Sequence, residues 1–320
     1  MKVDVYLGID TSCYTTSVAA VDKNGRIVDE ARKLLMVKPG KKGLAQSEMV
    51  FQHTRNLPVL IEELFGRNDM KIIGIGVSKK PRPVENSYMP AFLSGYGLAR
   101  SLAKVCCVPL VAITHQENHL EAALHSSGIG ELQRGLFLHA SGGTTEILVI
   151  EKQPCLKYQL TEIGGSIDLH AGQFIDRVGV ALGLSFPAGP HVEALAAKAE
   201  TAYVLPVAAQ GTSLSFSGPC SAALRAIENG VPNANLALGV QIALAESFAR
   251  VIVATVHVKK LKNIVFAGGV MSNLFIREYL KKALQKEDIT LWFAGPTFSA
   301  DNALGCAVAA QRLLGEGKDE

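Results

Sequence analysis

The sequence holds no Cys-x-x-Cys pair, since its six cysteines stand at positions 13, 106, 107, 155, 220 and 306. Structural zinc ribbons and dithiol redox motifs are therefore excluded. The cysteines read as reduced thiols, with Cys106 and Cys107 expected to be buried where a helix gives way to an apolar strand. The His-Glu-x-x-His arrangement of zinc proteases is missing as well. Neither sign of charge dominates: 32 Lys and Arg face 29 Asp and Glu, which permits a nucleic-acid partner without requiring one. Met1 to Asp4 lack the apolar run and cleavage site of an export signal, so the cytoplasm is the expected location. The longest apolar stretch, Leu236 to Val256, contains Gln241, Glu246 and Arg250. It reads as a buried helix with a polar stripe, and no membrane association is expected.

What is present suffices for two modest cores: 320 residues, 48% of them hydrophobic. Val5 to Asp10 is apolar and β-prone; a polar turn at Thr11 to Tyr14 leads to a strand over Ser17 to Val21, and Asn24-Gly25 turns the chain into a third over Arg26 to Leu34. Leu136 to Ala140, the turn Ser141 to Thr144, Glu146 to Ile150 and Leu156 to Ile163 repeat that meander. Helices are expected over 51–65, 91–106, 174–182, 192–200, 222–228, 237–256 and 303–314, and strands over 71–77, 109–113 and 263–267. Meanders followed by alternating helices and strands, present twice, predict an α/β chain of two mixed-sheet lobes around a nucleotide cleft. The lobes are expected over 1–134 and 135–320, with the last helix packing back on the first.

His115 and His119, in Ile113-Thr114-His115-Gln116-Glu117-Asn118-His119, fall one helical turn apart on one face, where two imidazoles can share a metal. Glu117 points to the other side and offers no general base for proteolysis. A candidate third ligand is Asp301, in a polar loop entering the last helix; a helix N-cap fits its position equally. Two histidines and a carboxylate leave coordination positions open and suit iron(II) or zinc.

Two glycine pairs follow strands. Ser141-Gly142-Gly143-Thr144-Thr145 lets backbone amides approach a phosphate or carboxylate, and Ala267-Gly268-Gly269 through Asn273 opens a helix on which a nucleotide can rest. Asp176 can accept hydrogen bonds from ligand hydroxyls, or can be an ordinary helix acid paired with a nearby base.

These pieces, in this order, resemble the TsaD family, also called Gcp or YgjD and formerly O-sialoglycoprotein endopeptidase or peptidase M22. The resemblance runs nearly end to end. It is carried by Gly8-Ile9-Asp10-Thr11-Ser12-Cys13, His115 to His119, Ser141-Gly142-Gly143, Ala171-Gly172 with Asp176, Ser215-Phe216-Ser217-Gly218, Gly268-Gly269-Val270 with Asn273, and Asp301-Asn302. It implies a duplicated actin-like ATPase fold (the ASKHA, ribonuclease H-like class). It also implies an acyltransferase that moves a threonylcarbamoyl group from threonylcarbamoyl-AMP to N6 of adenosine 37 in tRNA. By motif match the metal ligands are His115, His119 and Asp301, with no catalytic side chain beyond that site. The nucleotide-binding positions are His139, Ala140, Ser141, Gly142, Gly143, Asp176, Gly189 and Asn273. One divalent metal ion (iron or zinc), ATP or an acyl-adenylate, tRNA, and small TsaB- and TsaE-like partner proteins are implied with them.

The departures from the family pattern mark a divergent member. Tyr14 and Thr15 stand where two acids are usual, Thr144 where histidine is, Leu169 for the second of two aspartates, Gln173 for glutamate and Cys220 for lysine. A basic loop, Lys79-Lys80-Pro81-Arg82, replaces a glycine- and proline-rich one and is a candidate contact for RNA phosphates. Two alternatives follow: a paralogue transferring a carbamoyl-type group to another acceptor, or a non-catalytic nucleotide-binding subunit.

Overall fold

The computed structural model describes residues 2–37, 43–154 and 157–315. Cys155 and the start of the strand expected from Leu156 lie outside the described residues. The chain forms two compact units: one runs through Gly130 and takes in Lys152–Tyr158 and the chain from Asp301 on, the other comprises Glu131–Glu151 and Gln159–Ala300.

The first unit opens with strands β1 (Val3–Asp10), β2 (Thr15–Asp22) and β3 (Ile27–Leu34), followed by helix α1 (Gln46–Arg67), strand β4 (Met70–Lys80), helix α2 (Phe92–Val105), strand β5 (Leu110–Thr114) and helix α3 (His115–Ser127). Its sheet has the order β3-β2-β1-β4-β5, with β1 and β2 antiparallel and β1, β4 and β5 parallel. Alternation is absent from β1 because both faces are covered: Val5 through Asp10 are all buried. Val5, Leu7 and Ile9 pack with Leu57, Leu60 and Leu64 of α1 and Ala99 of α2. Each such Val, Leu or Ile side chain contributes about 1.5–3 kcal/mol through burial.

The second unit repeats the plan. It contains β6 (Arg134–Ala140), β7 (Thr145–Lys152), β8 (Tyr158–Ser166), α4 (Ala171–Ala181), α5 (Gly189–Ala196), β9 (Ala209–Gln210), β10 (Ser213–Leu214), α6 (Ser217–Glu228), α7 (Asn233–Lys259), β11 (Asn263–Ala267), α8 (Leu274–Ala283), β12 (Thr290–Phe293) and α9 (Pro296–Ser299). Here β6 takes the place of β1: it pairs antiparallel with β7 and parallel with β11, which pairs parallel with β12. Helix α7 alone is long and apolar enough, among the described residues, to cross a membrane; most of it is buried within its own unit, where Leu244, Phe248 and Ile252 join the core. The chain then returns to the first unit as α10 (Leu304–Gly315), which packs on β1, β4 and α3.

Three local expectations need correction. Cys106 and Cys107 are exposed rather than buried: α2 ends in a turn in which Cys107 takes a positive φ of 53° and its amide bonds to the Lys104 carbonyl, and β5 begins only at Leu110. Helix α5 stops at Ala196 instead of running to Glu200, because its buried positions end there and Lys198 and Glu200 are exposed. Strands β9, β10 and β12 were not expected. At two to four residues they carry too little pattern to be read, and pairing with neighbours supplies their hydrogen bonds.

Candidate functional site

Helix α3 starts on its first metal candidate. Thr114 caps it: the Glu117 amide donates to Thr114 Oγ1 at 3.3 Å and the Thr114 amide donates to Glu117 Oε2 at 2.6 Å. This reciprocal pair explains Glu117. Its carboxylate closes the helix end, and the two histidines are left on the opposite side. Their rings lie edge to face with centroids 4.4 Å apart, and both residues are buried.

Asp301 meets them from the other end of the chain. Its Oδ1 lies 3.4 Å from His119 Nε2 and 3.8 Å from His115 Nε2. The alternative role, capping the last helix, falls to its neighbour: Asn302 Oδ1 accepts the Leu304 amide at 2.9 Å. Asp301 is thereby free to face the imidazoles. Asn118, between the two histidines, fastens α3 to this loop by donating to the Asn302 carbonyl at 2.7 Å and accepting from the Cys306 amide at 2.8 Å. Glycine at 305 is required by this closeness, since a Cβ there would stand 1.9 Å from the Asn118 carbonyl oxygen. Farther along, Arg312 of α10 pairs with the buried carboxylate of Glu121 of α3.

The protonation states suit a cation. Burial lowers the His115 pKa to about 3, so the ring is neutral with a lone pair to offer. Burial would raise Asp301, but the His119 hydrogen bond, the neighbouring histidines and the Tyr14 amide outweigh it and hold the carboxyl below its usual range. Two imidazoles and a carboxylate are the donor types that an open zinc or iron(II) site uses, and these three residues could hold such an ion. Beside them, Asp10 at the end of β1 accepts hydrogen bonds from Ser12, at 2.7 Å, and from Ser78; burial nevertheless raises its pKa to about 7. Sequence reasoning used Asp10 only as part of the opening motif and did not single out the buried His53, because a lone acid at a strand end and a lone helix histidine have no local pattern that points to chemistry.

The remaining candidates gather in the second unit. The turn 141–144 closes by a Ser141 amide bond to the Thr144 carbonyl at 2.7 Å, and leaves Gly142 and Gly143 exposed with open space around them. The Gly172 amide of α4 donates to the Ser141 carbonyl at 3.0 Å. Gly268, at φ +100°, brings the other glycine pair against the Ala140 carbonyl, where a Cβ would lie 2.1 Å from the oxygen. His139 and Ala140 are buried on β6, with His139 stacked on Phe137. Asp176 accepts the amide of Ala188, the residue before α5, at 2.7 Å, which ties α4 to the start of the helix that opens with Gly189; burial raises its pKa. Asn273 caps α8 by accepting the Ile276 amide at 2.9 Å.

Several departures from the family pattern have a structural explanation. Leu169 and Cys220 are buried in the second unit's core, where a carboxylate or an ammonium would lack solvation. Gln173 does the capping work of a glutamate, accepting the His170 amide at 3.3 Å. Asp168, the retained aspartate, accepts Ser215 Oγ at 2.6 Å and the amides of Phe216 and Ser217 at the start of α6. The expected basic loop needs correction: Lys79 and Lys80 end strand β4, and Lys80 Nζ donates to the Val84 carbonyl at 2.9 Å, so this lysine braces the turn that follows the strand.

A family model described as TsaD, tRNA N6-adenosine threonylcarbamoyltransferase, matches residues 36–308. A Thermus thermophilus protein named tRNA N6-adenosine threonylcarbamoyltransferase is 32% identical over 315 residues, which is 98% of this chain and 93% of the relative. A Methanothermobacter thermautotrophicus protein, named a probable bifunctional tRNA threonylcarbamoyladenosine biosynthesis protein, is 28% identical over 92% of this chain, and the match takes in 53% of its length. Among solved structures, full-length HypF in its phosphate- and nucleotide-bound form superposes with a TM-score of 0.61 at 11% identity, over 100% of this chain and 56% of HypF. That likeness concerns the fold, the duplicated actin-like one.

Proposed function

Because the chain belongs to the TsaD family of tRNA N6-adenosine threonylcarbamoyltransferases, we propose that it is an acyltransferase dependent on one divalent metal, transferring threonylcarbamoyl from threonylcarbamoyl-AMP to N6 of adenosine 37 in tRNA. The observation that carries this reading is the convergence of His115, His119 and Asp301, with Asp301 Oδ1 at 3.8 and 3.4 Å from the two imidazoles. Their donor atoms fit zinc or iron(II). When bound, the metal would polarise the carbamoyl group as a Lewis acid. The protein's own part is to hold that donor set in place: Asn118 fixes α3 against the Asp301 loop, and the Asn302 cap leaves Asp301 available. In the second unit, Gly142 and Gly143 give a phosphate access to backbone, and Ser141, Asp176, Gly189 and Asn273 with buried His139 and Ala140 frame the nucleotide-binding side. The acceptor puts the reaction in the cytoplasm, and the same reading gives the protein TsaB- and TsaE-like partners.

The test is restoration of the modified adenosine in cells depleted of their own TsaD, together with metal analysis of the purified protein. Restoration by the wild type, and loss of metal and modification in His115→Ala and Asp301→Ala, are expected. Metal content unchanged in both variants sinks the metal site. A second reading, transfer to a different acceptor, is favoured by the burial of Leu169 and Cys220 where the family has polar residues. Failure to restore the modification with adenylate binding intact supports it. Failure with nucleotide binding also lost removes both readings.

A further inference from the structure

We propose that Cys13 is a fourth ligand of the metal centre, an inference that rests on the reading of His115, His119 and Asp301 as its other ligands. The Cys13 sulfur, an imidazole nitrogen of His115 and a carboxylate oxygen of Asp301 all lie within 4.8 Å of one another. Donors bound tetrahedrally to one zinc or iron ion at about 2.0–2.3 Å stand roughly 3.3–3.8 Å apart, so Cys13, His115 and Asp301 must draw together by up to about 1 Å to share it.

The turn carrying the thiol is held from two sides. The Tyr14 amide donates to the Asp301 carboxylate, tying the residue after Cys13 directly to a ligand. On the other side, His53 Nε2 lies 3.1 Å from the Cys13 carbonyl oxygen and Nδ1 lies 2.8 Å from Thr16 Oγ1. A carbonyl can only accept, so Nε2 carries the hydrogen and Nδ1 of the neutral ring accepts from the Thr16 hydroxyl. Asn56 Nδ2 in turn donates to Thr16 Oγ1 at 3.2 Å. His53, Thr16 and Asn56 are all buried, and together they fix the backbone at position 13. The other described cysteines are placed differently: Cys106 and Cys107 are exposed at the end of α2, Cys220 is buried in the second unit's apolar core, and Cys306 is buried on α10.

On coordination the S–H bond breaks as the sulfur–metal bond forms, and the proton leaves to solvent; no electrons are transferred. The resulting set of two imidazoles, one carboxylate and one thiolate is softer than the three-ligand set and favours zinc.

Cobalt(II) reports this directly, because a thiolate ligand gives it a near-ultraviolet charge-transfer band that nitrogen and oxygen donors do not. The full chain is stripped with chelator and titrated with cobalt(II), and stoichiometry is followed by equilibrium dialysis and folding by circular dichroism. Wild type is expected to bind one ion and show the band. Cys13→Ser should lose the band and bind about 100-fold more weakly, since loss of even an outer-shell partner costs roughly 10–100-fold. Cys106→Ser should keep both. One ion bound without the band, with binding lost in His115→Ala, overturns the Cys13 assignment and leaves the three-ligand site standing. A band that persists in Cys13→Ser overturns it as well. Absence of stoichiometric binding in folded wild type overturns both this inference and the metal reading beneath it.

Discussion

The side-chain amide of Asn118 donates to the main-chain carbonyl of Asn302 at 2.7 Å, across 184 positions of sequence. Through this bond, and the reciprocal one from the Cys306 amide, the helix bearing both histidines is registered against the loop bearing Asp301. Neither group touches the donor cluster itself, yet the pair sets how closely its members approach.

Asn118→Ala removes two buried hydrogen bonds and leaves a carbonyl and an amide without those partners. At about 1–3 kcal/mol for each buried group left unsatisfied, a loss of about 2–6 kcal/mol in unfolding free energy is expected in urea titrations. Metal affinity should fall by about 10–100-fold, because Asn118 orients the ligands as an outer-shell partner. An unchanged affinity would show that the loop holds its position without the latch.

Gly305→Ala tests how close that approach is. The added methyl group would lie 1.9 Å from the Asn118 carbonyl oxygen, far inside contact distance, and that oxygen belongs to packed backbone that cannot swing aside. The helices must separate, so a fall in Tm larger than that of Asn118→Ala is expected in calorimetry. A Gly305→Ala variant with wild-type Tm would contradict the packing of α10 on α3.

His53 makes stability depend on pH in the acid range. Burial lowers its pKa to about 4 from an ordinary 6.5, with the bond to the Cys13 carbonyl working weakly in the other direction. Between these values the unfolded chain binds a proton that the folded chain does not. Stability from this group is therefore present above pH 6.5 and is lost as pH falls towards 4, by up to about 3 kcal/mol. His53→Gln should flatten that dependence in denaturant titrations at several pH values; an equal slope would remove His53 as its source.

Asp10 acts with the opposite sign. Burial raises its pKa from 3.8 to about 7 against the lowering influence of Ser78 and Ser12, so the fold favours the neutral acid. Its contribution is complete below pH 3.8 and disappears as pH rises through 7, about 4 kcal/mol at most. In metal-free protein, Asp10→Asn should gain stability relative to wild type as pH rises from 4 to 7. A difference that does not vary with pH would mean that Asp10 is already ionised in the fold.

The sequence by itself determined the elements and their repetition. Strand meanders, the glycine turns and the one-turn spacing of His115 and His119 are local patterns set by backbone periodicity, and each was legible over a few residues. The role of Glu117 came from the fold, where it closes a capping box with Thr114. Periodicity cannot say which distant segments meet. Asp301 suited a helix cap and a ligand equally well, and the choice was made only when Asn302 took the Leu304 amide and α10 packed on β1, β4 and α3. The same packing brought Cys13 to His115 and Asp301, residues more than a hundred positions away. Leu169 and Cys220 stand out as departures in the sequence; their burial, visible only in the folded chain, gives the physical reason that polar residues are absent there.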